Sequence, residues 1–218
     1  MQIGHDILSL FSGTNSWTQF YSDDFKVHSV DIEYRYRPYL VRDISKWDFK
    51  EDIERGFLPS NIDIIYASPP CNLYFTLLKN PPGSNPKRPY IEYTEADRNL
   101  SILLVNKTIE IINYFNPRFF VIENPVGRIK KHFPSILNQD PVRVDYCQYG
   151  FEYMKPTYIY TNVKFTPKRC NHIRHEVGIK GYGKEGILRE TYKAMIAPGL
   201  SKEICDRIVA DLQILKQS

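Results

Sequence analysis

The stretch Ile62-Asp63-Ile64-Ile65-Tyr66-Ala67-Ser68-Pro69-Pro70-Cys71 decides how this chain of 218 residues is read. Ile62 to Ala67 is a mostly apolar run of a length that suits a buried strand. Two prolines then stiffen the turn and place a thiol just past the strand's end. A second apolar run, Phe119-Phe120-Val121-Ile122, leads into Glu123-Asn124-Pro125. A nucleophile and an acid, each at the carboxyl end of its own strand, can converge on the crevice where open α/β sheets bind ligands. Such a pair suits covalent addition to an electron-poor ring, with the acid hydrogen-bonding a ring nitrogen. Taken singly, Cys71 also reads as a buried structural thiol and Glu123 as a cap or the partner of a base. Asn124 precedes a proline and is therefore held extended, which directs the neighbouring Glu123.

Outward from these two runs the chain alternates strands and helices. Strands are expected at Ile7–Phe11, Lys26–Ile32, Ile62–Ala67, Arg118–Ile122, Val142–Cys147 and Thr157–Tyr160, with a short helix from about Trp17. Tyr39-Leu40-Val41 and Asp43-Ile44 follow after a connection too short for a full crossover helix. Thr94 and Asp97 form a capping box for a helix to Phe115, with Ile102, Val105, Ile109 and Ile112 on one face. Pro198 to Leu215 is amphipathic, with Leu200, Ile204, Ile208, Leu212 and Leu215 three or four apart. The alternation predicts an α/β fold with a mostly parallel sheet. Lys79 to Tyr93 holds four prolines and a glycine, and a loop that long is usually functional or disordered.

Length suits one domain with a sizeable core. Apolar runs end well short of a membrane span and no basic leader opens the chain, so a soluble cytosolic protein without membrane association is expected. Its four cysteines (Cys71, Cys147, Cys170 and Cys205) lack CxxC pairing and read as reduced thiols. Net charge is +4, but Val163 to Met195 alone holds eight Lys/Arg against three Glu. That clustering suits a phosphate backbone, or else a solvated face. Lys168, Arg169 and Arg174 here, with Lys87 and Arg88 in the proline-rich loop, are the candidate nucleic-acid phosphate ligands. Cys170-x-His172-x-x-His175 offers three metal-ligand types, but no fourth is evident and the spacing matches no standard zinc pattern. The segment is read as a basic turn on phosphate, with no metal.

The turn Phe11-Ser12-Gly13-Thr14-Asn15-Ser16 follows the first strand, where backbone N–H groups meet a negative ligand group. Asp31, at the end of the second strand, is placed for a ribose hydroxyl pair. With a single glycine and no GxGxxG, the turn is not built for pyrophosphate. S-adenosylmethionine, carrying a ribose and a carboxylate, fits better; an ordinary βα turn is the alternative.

These motifs together resemble the DNA cytosine-5 methyltransferases, in particular the short phage-type members. Phe11 to Trp17 is similar to the family's first cofactor motif, Val30-Asp31-Ile32 to its ribose-binding acid, and Asp43-Ile44 to its adenine-holding pair. Ser68-Pro69-Pro70-Cys71 resembles the nucleophile motif and Glu123-Asn124-Pro125 the Glu-Asn-Val motif. Tyr146-Cys147-Gln148-Tyr149-Gly150, with Lys155-Pro156-Thr157 and Thr161-Asn162, is especially like the phage branch. The likeness spans roughly residues 7 to 162 and the final helix. It implies a class I S-adenosylmethionine-dependent methyltransferase (Rossmann-like) fold with one antiparallel strand near the sheet's end. It also implies double-stranded DNA with the target base flipped out, Cys71, Glu123 and Lys155 as catalytic residues, and cofactor contacts from residues 11–16, Asp31, Ile32, Asp43, Ile44 and Pro69. A cytoplasmic setting, bacterial or in a phage-infected cell, goes with it.

The chain departs from the family in several places. Asn72-Leu73-Tyr74-Phe75-Thr76 replaces the usual continuation of the nucleophile motif. Lys155 stands for the first arginine of Gln-x-Arg-x-Arg, and Thr157 for the second. Ala194 takes an asparagine position. The expected division is a catalytic core over 1–162, a short basic segment over 163–190 in place of a target-recognition domain, and a C-terminal helix over 191–218 returning to the core. Specificity is then either short or absent, or it is supplied by the 79–93 loop and a partner subunit. An amino-methyltransferase, an RNA cytosine methyltransferase and a non-catalytic DNA-binding or regulatory module are the other readings.

Overall fold

The computed structural model describes residues 4–70, 94–126, 140–173, 175 and 194–215. Its strands are β1 (His5–Leu10), β2 (Phe25–Asp31), β3 (Leu40–Val41), β4 (Ile64–Ala67), β5 (Phe119–Pro125), β6 (Val142–Asp145) and β7 (Pro156–Thr161). The helices are α1 (Phe49–Glu54), α2 (Glu95–Phe115) and α3 (Pro198–Leu215). All seven strands share one sheet in the order β3-β2-β1-β4-β5-β7-β6. Pairings are parallel except those of β7 with β5 and β6, so the antiparallel strand lies next to the edge, as expected.

Strand residues alternate between two apolar layers because successive side chains point to opposite faces. Leu8, Ile65, Ala67, Ile122 and Tyr160 face one layer with Val105, Ile109 and Ile112 of α2. Ile7, Ile64, Tyr66, Val121 and Ile159 face the other with Leu200, Ile204, Ile208 and Leu212 of α3. The register carries the first layer across the sheet through Leu8↔Ile65 and Ala67↔Ile122, and the second through Ile7↔Ile64 and Tyr66↔Val121. With both faces covered, the central strands read as nearly continuous apolar runs. Each such buried side chain contributes roughly 1.5–3 kcal/mol relative to exposure.

Several boundaries differ from the sequence reading. No helix starts at Trp17: Thr18 N–H bonds Asn15 O (3.1 Å) and Tyr21 N–H bonds Thr18 O (3.2 Å), which makes successive turns. Tertiary contacts decide this, because the Trp17 indole stacks on Tyr66 (5.1 Å between centroids) and donates to Ser68 Oγ (3.1 Å). β4 begins at Ile64, and β5 runs on through Glu123-Asn124-Pro125 because β7 pairs with all three. β6 stops at Asp145, where Tyr146–Tyr149 tightens into a 3-10 turn closed by Gly150 at φ 98°. The capping box of α2 is present, but its buried stripe is Ser101, Leu104, Val105, Thr108, Ile109, Ile111, Ile112 and Phe115, with Ile102 half-buried. The short helix α1 was not expected; Asp48 caps it by accepting from Lys50 N–H (3.1 Å) and Glu51 N–H (3.2 Å).

Within α1, Asp52 is buried and accepts two bonds from Arg42 (Nε and Nη2, both 2.9 Å) and one from the Trp47 indole (2.7 Å). Burial pushes the Asp52 carboxyl up, but the Arg42 and Trp47 hydrogen bonds outweigh it and hold the group below its ordinary value. A lowered carboxyl stabilises the fold fully above its unfolded value of roughly 3.9 and loses that contribution as pH falls through the folded value. The stability gap between wild type and Asp52→Asn is therefore expected to be constant from neutral pH to about 5 and to shrink below about 4. Urea unfolding at several pH values measures it, and a gap that persists unchanged into acid contradicts the assignment.

Candidate active site

At the carboxyl end of β1 the chain turns sharply. Phe11 (φ 53°), Gly13 (φ 48°) and Asn15 (φ 55°) all adopt left-handed backbone, uncommon for the two that carry side chains. The turn is fastened to β2. Ser12 N–H bonds Val30 O (3.1 Å), and Gly13 N–H donates to Asp31 Oδ2 (2.8 Å). The other carboxylate oxygen of Asp31 accepts from Glu33 N–H (2.8 Å). Asp31 thus holds two backbone segments at once, and strained backbone is maintained where its surroundings over-determine it.

Phe11, Ser12, Gly13, Asp31 and Glu33 line a cavity of about 510 Å³, within the ~300–1,000 Å³ usual for small-molecule sites. Of the expected cofactor residues, Phe11, Ser12, Gly13, Thr14, Ser16, Asp31, Ile32, Asp43 and Ile44 line it; Asn15 and Pro69 do not, although Pro70 does. Ile32 is 61% exposed there, an apolar side chain without cover. Asp43 accepts from Ser45 N–H (3.0 Å) and Ser45 Oγ–H (2.6 Å), and Arg42 carries the wall toward Asp52. Ala194 and Ile196 close the far side, tied in by the bond from Ile196 N–H to Ser16 Oγ (3.0 Å).

The second part of the site lies on β5. Glu123 is only 5% exposed, and its Oε1 accepts from the Tyr146 hydroxyl at 3.0 Å. Lys155 Nζ lies 3.6 Å from the same oxygen and 4.6 Å from the Tyr146 ring centroid. Burial, and then the charge of Glu123, push the Tyr146 phenol well above its ordinary value, so it stays a hydroxyl donor. Asn124, also buried, donates from Nδ2 to the Pro69 carbonyl at 2.9 Å. The bond ties the turn that ends at Pro70 to the strand carrying Glu123. Thr157, at the second arginine position, is fully buried in β7 and donates to Lys155 O (3.2 Å), so it presents no cation.

Cys71, Lys87, Arg88 and Arg174, together with the 79–93 loop, lie outside the described residues. Lys168 is ion-paired with Glu203 and lies over the Tyr149 ring at 5.0 Å, while Arg169 Nε donates to Asp145 Oδ2 (3.1 Å). The two expected phosphate ligands among the described residues are thus engaged within the chain. Tyr146 is a site residue that sequence reasoning missed, as are Glu33, Tyr36 and Arg42 in the cavity wall. The only signal for Tyr146 was the Tyr-Cys-Gln-Tyr-Gly string, in which nothing marks the first tyrosine as a partner of Glu123. Gly199, at the start of α3, packs on the same turn; a Cβ there would come 2.9 Å from the Tyr149 carbonyl oxygen.

No protein-family model matches the chain. A Frog virus 3 (isolate Goorha) protein described as a "Probable DNA (cytosine-5)-methyltransferase" is 33% identical over 170 residues, covering 75% of this chain and 74% of that protein. Among solved structures, an E. coli protein described as a "putative DNA modification methyltransferase encoded within prophage" superposes with a TM-score of 0.51 at 17% identity. That match covers 85% of this chain but only 56% of the prophage protein, and at such identity it speaks to the fold. Among the described residues no helix is long and apolar enough to cross a membrane. With the viral relative aligned over three quarters of both sequences, this chain belongs to the DNA (cytosine-5) methyltransferase family.

Proposed function

We propose that the chain transfers a methyl group from S-adenosylmethionine to carbon 5 of cytosine in DNA, through a covalent adduct between the Cys71 sulfur and carbon 6. One observation carries the reading. A buried carboxylate, Glu123, is fixed by Tyr146, and its neighbour Asn124 grips the Pro69 carbonyl two residues before the thiol. The turn that leads toward Cys71 and the strand that carries Glu123 are thereby tied together, and Ser68 and Pro70 of that turn line the cavity.

The residues present fit the cofactor. The cavity has the right size, Asp31 supplies carboxylate oxygens for a ribose, Ile32 an apolar surface for a purine, and Asp43 a further acceptor. S-adenosylmethionine supplies the electrophilic methyl. The rest falls to the chain. The Cys71 thiolate adds to carbon 6, which pushes electron density through the ring toward N3 and makes carbon 5 nucleophilic. Glu123 hydrogen-bonds or protonates N3 and so stabilises that charge, with Lys155 close by to balance the carboxylate. After carbon 5 gains the methyl its proton passes to solvent water, N3 returns any proton it took from Glu123, and elimination of the Cys71 thiolate restores the aromatic ring. The base reaches the site by flipping from the duplex. Target choice falls to the 79–93 loop, the basic segment or a partner chain.

The test is incubation with labelled S-adenosylmethionine and a duplex of mixed sequence, followed by nucleoside mass analysis. The expected product is 5-methylcytosine. A methylated exocyclic amine, or an unmodified duplex under conditions where cofactor and DNA bind, contradicts the proposal.

A further inference from the structure

The segment after β7 carries Cys170, His172 and His175, three ligand types without a fourth in the local sequence. The fold supplies one. Cys147, in the 3-10 turn after β6, brings its sulfur to the same point, and one ligand atom from each of the four residues lies within 4.8 Å of every other. Cys170 Sγ lies 3.1 Å from His175 Nε2 and 3.5 Å from His172 Nδ1. A tetrahedral ion with sulfur at about 2.3 Å and nitrogen at about 2.0–2.1 Å has ligand–ligand edges of roughly 3.3–3.8 Å. The longest separation therefore has to shorten by only about 1 Å to complete the shell.

The two limbs are held together by groups other than the ligand side chains. Asp145 Oδ2 accepts from Cys170 N–H (2.9 Å), Asp145 N–H donates to Lys168 O (3.1 Å), and Lys168 N–H donates to the Tyr149 hydroxyl (2.8 Å). Gln148 Nε2 donates to Asn171 Oδ1 at 2.9 Å, bridging the residues that follow Cys147 and Cys170. The ligand set is thus assembled by the fold before any ion binds. Its surface position, with His172 exposed and the other three half-buried, leaves a path for entry.

We infer that Cys147, Cys170, His172 and His175 bind one zinc ion. Two thiolates and two neutral imidazoles make a closed Cys₂His₂ shell, the composition of structural rather than catalytic zinc. Binding displaces two thiol protons and leaves the site neutral. The ion staples the root of the basic segment to the turn that begins with Tyr146, the residue donating to Glu123. Its role is to hold that segment against the core that carries Glu123.

The experiment measures zinc by mass spectrometry in full-length protein purified under reductant without chelator. One ion per chain is expected, reduced about tenfold or more in Cys170→Ser and His175→Asn and unchanged in Cys205→Ser, whose thiol is buried in the α3 layer. Circular dichroism checks that each variant keeps its helices. Because a variant can misfold, wild-type protein stripped with EDTA is also titrated with Co²⁺. Thiolate-to-cobalt charge transfer and strong visible bands of a four-coordinate ion support the site. Reduced protein that carries no zinc and develops no cobalt bands overturns it. So does a Cys147–Cys170 disulfide in freshly isolated protein, or equal metal loss in Cys205→Ser.

Discussion

Changing Cys71 to alanine is expected to abolish 5-methylcytosine formation while leaving S-adenosylmethionine and duplex binding within a few-fold of wild type. Without the thiolate, carbon 5 of cytosine has no activated form, because the ring is electron-poor and its π density is not available for attack on a methyl group. Losing a covalent nucleophile costs on the order of 10⁵–10⁶-fold in turnover, beyond most assays. Binding survives because the cavity is lined by Phe11 to Thr14 after β1, by Asp31 to Glu33 at the end of β2 and by Arg42 to Ser45 after β3. Single-turnover methylation and equilibrium cofactor binding on the same preparation separate the two effects. Residual methylation within a hundredfold of wild type removes Cys71 from the mechanism. An inactive wild type with intact binding of both ligands favours instead a methyltransferase fold kept for DNA binding, a reading that the buried Thr157 in an arginine position also motivates.

Glu123→Gln is the second large effect, and it tests the part of the site that the structure describes directly. Glutamine keeps the volume and an oxygen that can accept the Tyr146 hydroxyl, so the packing beneath β5 is preserved. It cannot deliver a proton to N3, and it leaves Lys155 without the carboxylate now 3.6 Å away. General acid catalysis is worth roughly 10²–10⁴-fold, and kcat is expected to fall by that amount with the cofactor KM unchanged. Rapid-quench methylation by Glu123→Gln, alongside a melting curve to exclude unfolding, measures the loss. A drop confined to KM assigns Glu123 to binding rather than to ring activation.

How far the site was legible in the sequence depended on how local its causes were. Glu123-Asn124-Pro125 and Ser68-Pro69-Pro70 were visible because short motifs at strand ends announce themselves. The bond joining them, Asn124 to the Pro69 carbonyl, was not, because it links residues 55 apart in the chain. Asp31 was identified as a ligand-facing acid, yet nothing in its neighbourhood said that both its oxygens would hold backbone N–H groups of two different turns. Local charge density marks Lys168 and Arg169 as phosphate ligands, but their acidic partners Glu203 and Asp145 come from α3 and β6 and are not visible in it.

The sequence by itself determined the α/β class, most strand positions, both long helices and the capping box at Thr94, because apolar periodicity and terminal hydrogen bonds act within a few residues. Tertiary structure alone decided where Trp17 goes, how far β5 extends, which tyrosine steadies Glu123, and that Cys147 meets Cys170, His172 and His175. Each of those outcomes depends on which strand lies beside which. The antiparallel insertion of β7 between β5 and β6 brings together groups that no local pattern connects.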